Sequence, residues 1–81
     1  MTNRKRKLLQ GEKPGDFEHA CEVVEDFLEE NGKKLSPEAL KKEVSKMVEV
    51  MYATGGAAFE SDLLRRYAWA YFHLGPNPKG L

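Results

Sequence analysis

Apolar residues recur along most of this chain at intervals of three and four, the spacing that places side chains on one face of an α-helix. The strongest such stretch is FESDLLRRYAWAYFHL, which holds five of the eight aromatics: Phe59, Tyr67, Trp69, Tyr71 and Phe72. At about 100° per residue, Phe59, Leu63, Leu64, Tyr67, Ala68, Ala70, Tyr71, Phe72 and Leu74 share an arc of roughly 220°, far wider than the ~100° stripe of an ordinary surface helix. Such a helix has to be contacted from two or three sides. The remaining arc carries Asp62, Arg65, Arg66 and His73, with Trp69 among them as its one large aromatic.

Upstream, Phe17, Ala20, Cys21, Val23, Val24, Phe27 and Leu28 form a continuous apolar arc of roughly 160° on a helix over residues 16–31. Asp16 follows Pro14 and Gly15 as an N-cap, and Asn31 with Gly32 supplies a left-handed stop. A second helix, residues 37–53, has the clearest start in the chain. Ser36 is the N-cap, Pro37 takes the first helical position where its missing N–H costs nothing, and Glu38 meets the positive end of the helix dipole. Its apolar face is Leu40, Val44, Met47, Val48, Met51 and Tyr52; Glu38, Lys42, Ser45, Lys46 and Glu49 stand opposite. Gly55 and Gly56 permit a reversal into the third helix, which starts at Ala57 or only after a Ser61 cap. The longer form, residues 57–74, brings Phe59 onto the core face and also turns Glu60 towards it. Gly75 and Pro76 end that helix.

Three helices with short connections predict an all-α fold, a small three-helix bundle over residues 16–75. Residues 1–15 are expected to form a flexible basic arm and residues 76–81 an extended, exposed tail. A chain of 81 residues makes one domain with a small core, for which partner burial or self-association would be a gain.

Charge changes this picture. The net charge is zero, yet the chain divides into blocks of opposite sign. Residues 1–13 carry +4 and residues 14–31 carry −7 with no Lys or Arg; residues 32–54 and 55–81 carry +2 and +1. Local potential, not the mean, decides what a face attracts. Arg4, Lys5, Arg6 and Lys7 are four consecutive cations able to neutralise phosphates. They read as a solvated tail against the acidic helix, as a nucleic-acid contact, or as a targeting signal. On the first helix Glu18, Glu22, Glu25, Asp26, Glu29 and Glu30 form an outer face with no compensating cation, although like charges three or four apart cost a few tenths of a kcal/mol each. That face is either simply solvated or meets a basic partner.

Little in the sequence points to catalysis. His19 and Cys21 lie about 200° apart on a helix and cannot form a nucleophile pair. No zinc spacing, phosphate-cradling glycine loop, G-x-S-x-G or H-E-x-x-H motif is present, so no enzyme activity, cofactor or metal is expected. No run approaches the ~18 apolar residues of a membrane span, and the basic stretch is not followed by a signal-peptide core; a cytoplasmic protein is expected.

A helix-turn-helix reading fits poorly, because the exposed arc of the third helix offers few base-reading side chains and Asp62 can pair with Arg65 or Arg66 along the helix. Trp69 flanked by arginines suits a protein-interface anchor or stacking on a base. The leading reading is a non-enzymatic module that binds another protein as regulator, inhibitor or adaptor, with a homodimer as one form. Its candidate contacts are Arg65, Arg66, Trp69 and His73, and Glu18, Glu22, Asp26 and Glu29. The alternative is nucleic-acid binding through Arg4, Lys5, Arg6 and Lys7 with the face of the third helix; a third is a structural subunit incomplete without its assembly.

Overall fold

A computed structural model describes residues 12–54 and 59–81. Its elements are α1 (Asp16–Glu30), α2 (Pro37–Ala53) and α3 (Ser61–Tyr71), the expected small all-α three-helix bundle. The core is formed by Ala20, Val24, Phe27 and Leu28 of α1, Leu40, Val44, Met47, Val48 and Met51 of α2, and Leu64 and Ala68 of α3. Each set repeats at three- and four-residue intervals, so the periodicity that predicts the helices also selects the side chains that leave water.

Local chemistry sets the helix ends. For α2 the expected start is seen: Ser36 Oγ accepts the N–H of Ala39 at 3.1 Å and Pro37 opens the helix. For α1 the N-cap is Gly15 at φ 93°, and Asp16 is the first helical residue instead of the cap. Its carboxylate reaches backwards, accepting the N–H of Lys13 at 2.9 Å while its own N–H donates to Lys13 O at 3.0 Å. Glu12 is only 8% exposed, so the fold already includes residues expected in the arm. Arg4, Lys5, Arg6 and Lys7 lie outside the described residues.

Both α1 and α3 close with a Schellman turn. In α1, Lys33 N donates to Leu28 O and Gly32 N to Glu29 O, with Gly32 at φ 77°. In α3, Leu74 N donates to Trp69 O and His73 N to Ala70 O, which puts His73, a residue with a Cβ, at φ 55°. The expected helix over 57–74 is therefore too long at both ends. Glu60 is the N-cap with extended backbone and an exposed side chain, Ser61 is the first helical residue, and Tyr71 is the last. Ala57 lies outside the described residues. Phe72, the C-cap, and Leu74, just past the left-handed His73, continue the apolar pattern beyond the helix and are both partly buried against the core.

The wide apolar arc of α3 is covered unevenly. Leu64 and Ala68 are fully buried, Leu63, Tyr67, Tyr71 and Phe72 are half-buried, and Ala70, expected in the arc, is exposed. Part of this arc meets hydroxyl chemistry. Tyr71 donates to Glu43 Oε1 of α2 at 2.8 Å, and Tyr67 OH lies 3.1 Å from Thr54 Oγ1. An aromatic with a polar tip can sit at such a margin, ring inward and oxygen outward.

Candidate functional site

Residues 75–81 run from the C-terminal end of α3 to that of α1. Trp69, in the last turn of α3, is partly buried, and its indole N–H donates to Gly75 O just past the Schellman turn. This bond fixes the ring's orientation. Trp69, Arg66, Pro76, Asn77, Pro78 and Leu81 line an open hollow of about 360 Å³. Leu81 is 52% exposed at its rim. The tail is largely exposed, as expected, but it is not extended: it bends at Pro76 and Asn77 and turns at Lys79 and Gly80, where Asn31 Nδ2 donates to Lys79 O at 3.0 Å and Asn31 Oδ1 accepts Lys79 N–H at 2.8 Å.

The four residues expected on the exposed arc of α3 separate into distinct roles. Arg65 bonds Asp62 Oδ1 at 2.7 Å, an intrahelical pair. Arg66 is exposed, forms no ion pair among the described residues and borders the hollow beside Trp69. His73 does not join them; it is exposed, outside the helix, in the left-handed turn. Trp69 is neither the exposed residue of the helical wheel nor a core residue, because the tail folds over one side of it.

On α1 the expected acidic face is present: Glu18, Glu22, Glu25, Asp26, Glu29 and Glu30 are all exposed, with no ion pair to any of them among the described residues. No basic residue stands in the last turn of α1 to offset its dipole. The face ends at the tail, since Glu30 Oε1 lies against Gly80.

Besides the Tyr67–Thr54 pair, three polar contacts between distant segments escape sequence reasoning. Asn31 reads as a helix stop, yet it also holds Lys79. Glu43 lies three residues after Leu40 and four before Met47, on the margin of the α2 apolar face; that position is the one available signal for its bond to Tyr71. The bond has an electrostatic consequence. Donation to the Glu43 carboxylate, then burial and the nearby negative charge, raise the Tyr71 hydroxyl above the ordinary tyrosine range. The third contact joins His19 Nε2 to Ser61 Oγ at 3.4 Å, long for such a pair.

Among the described residues no group of His, Cys, Asp or Glu side chains is placed to hold a metal ion, and no helix is long and apolar enough to cross a membrane. Cys21 is half-buried on the side of α1 away from His19. No family model, curated protein or solved structure matches this chain.

Proposed function

We propose that this chain is a small non-catalytic binding module of the cytoplasm that acts on another protein as a regulator, inhibitor or adaptor. The observation that carries the reading is Trp69 with its indole N–H held by Gly75 O, forming one wall of an open hollow beside Arg66. Trp and Arg are the side chains most often responsible for interface affinity. A ring already fixed in place loses little freedom on binding. The partner places an apolar side chain in the hollow, and Arg66 pairs with a carboxylate beside it. The acidic face of α1, which ends with Glu30 beside Gly80, steers a partner with basic groups flanking that anchor. A second copy of the chain is one such partner.

Affinity capture from the source cells, with and without nuclease, tests the reading when the parent is compared with Arg66→Glu, Trp69→Ala and the triple reversal of Glu22, Asp26 and Glu29 to Lys. Capture of one protein that survives nuclease and falls at least tenfold with Arg66→Glu is expected. The triple reversal should mainly slow association. Loss of every captured protein on nuclease treatment would replace this reading with nucleic-acid binding, and equal capture by all variants would remove both surfaces.

A further inference from the structure

The hollow beside α3 has two kinds of wall, and together they set what it can hold. Trp69 gives its one polar atom, the indole N–H, to Gly75 O, so the part of the ring that lines the hollow is apolar surface alone. Pro76 and Pro78 line it as well, and a proline ring carries no N–H. Leu81 borders it with an aliphatic side chain that is 52% exposed. Side-chain donors therefore stand at two places, Arg66 and Asn77.

Neither donor is engaged. Arg65 is paired with Asp62, while Arg66 forms no ion pair and the Asn77 side chain no hydrogen bond among the described residues. No Asp or Glu side chain lines the hollow, so its cation is left for a ligand. A guanidinium holds a carboxylate by two parallel N–H···O bonds and balances its one negative charge, whereas a phosphate monoester brings nearly two. The hollow, about 360 Å³, is near the lower end of ligand-pocket sizes, roughly 300–1,000 Å³, which suits one side chain with its anion better than a chain passing through. An internal Asp or Glu carries its carboxylate on one residue and leaves the apolar group to another, with chain on both sides. The last residue of a polypeptide carries both groups on a single Cα.

We propose that this hollow binds the free C-terminus of a partner protein, with the last side chain against Trp69, Pro76 and Pro78 and the α-carboxylate held by Arg66 and Asn77. The proposal rests on the reading that the chain works by binding another protein, and it supplies the chemistry of that partner's contact. A large apolar last residue, such as leucine or phenylalanine, is preferred. Terminal carboxylates are a recurring handle in peptide recognition. Residues 75–81 stay in place, because they form one wall of the site while Asn31 and Trp69 keep their bonds to Lys79 and Gly75. Arg66 decides specificity, since it separates a terminal acid from the same residue in mid-chain.

The test uses the full-length chain and two probes, N-acetyl-glycyl-leucine with a free carboxylate and the same peptide as its carboxamide. Heteronuclear NMR reads the Trp69 indole N–H and the Asn77 side-chain amide. Both signals are expected to shift saturably with the acid, at a Kd of about millimolar for so small a ligand. The carboxamide should need at least about tenfold more. Arg66→Gln, at an exposed position, should bring the acid down to the level of the carboxamide while the helical signals stay. Arg65→Gln should bind like the parent, because the Arg65 guanidinium is held by Asp62. Equal binding of acid and carboxamide, a preference for the acid that survives Arg66→Gln, an equal loss in Arg65→Gln, or no saturable shift well above millimolar acid would each overturn the proposal. So would an amidated peptide with an internal glutamate that binds as tightly as the acid, or a short oligothymidylate that moves the Trp69 signal at lower concentration. If neither peptide binds while Arg66→Glu still abolishes capture of the partner, the binding-module reading stands and the C-terminal mode falls.

Discussion

Replacing His73 by Gly should stabilise the fold. His73 occupies the left-handed position of the turn that closes α3, at φ 55°, with its side chain exposed. A left-handed backbone costs a residue with a Cβ roughly 1–2 kcal/mol, whereas glycine adopts it freely but gives back about 0.5–1 kcal/mol through the larger entropy of its unfolded state. The difference is a gain of roughly 0.5–1 kcal/mol. In a domain of this size that corresponds to about 2–8 °C in Tm, and to about 0.5–1 M in the urea midpoint at an unchanged m-value near 1 kcal/mol/M. Circular dichroism on heating and in urea measures both. A series separates backbone from side chain: Asn should fall between Gly and His, Ala should match or fall below His, and Val should be worst. If Gly and Ala both raise the midpoint, the imidazole itself is unfavourable and the backbone argument fails; if Gly lowers it, the turn does not have this geometry.

Tyr71→Phe should cost about 0.5–1.5 kcal/mol, less than a fully buried bond to a charged group because both partners are half-exposed. The folded pKa of Tyr71 is raised above its unfolded value, so the contribution is complete below about pH 10 and disappears as pH rises through the folded pKa. Urea midpoints of parent and variant should accordingly keep their full gap at pH 7 and 9 and draw together as pH is raised beyond that; a gap that stays constant while the tyrosine ionises would refute the assignment. Ser36→Ala should cost ~1 kcal/mol through loss of the bond to Ala39 N–H, and Ser36→Asp should restore most of it. A Ser36→Ala protein with the parent's thermal midpoint would mean that Pro37 alone sets the start of α2.

What the sequence makes legible here is what local spacing decides. Leu40, Val44, Met47 and Met51 repeat on one side of α2, and Ser36 and Pro37 mark its start within two residues, so core face and helix start both follow from neighbours. At α3 the same logic misleads, because Phe72 and Leu74 keep an apolar rhythm past Tyr71, the last helical residue, and through the left-handed turn at His73. A wheel assumes the helix continues, so His73 joins Arg65 and Arg66 on it although the structure parts them. Trp69 looks outward for a related reason: the tail that covers it approaches from outside the helical period. Contacts such as Asn31 with Lys79, or Glu43 with Tyr71, join positions 48 and 28 residues apart. Nothing in the periodicity of either segment marks such a partner.

The bond between Asn31 and Lys79 also has a place in time. It closes a loop that contains all of α2 and α3, and closing a long loop costs chain entropy before any reward from the contact itself. The helices carry the apolar surface that offsets such costs, whereas two hydrogen bonds at an exposed segment do not. Docking of α3 onto α1 must therefore come first, and the tail settles onto a bundle already assembled. Interactions made that late lie beyond the folding barrier, so they slow the opening of the native state and leave the speed of its formation unchanged. Residues 79–81 hold the bundle shut without helping to build it.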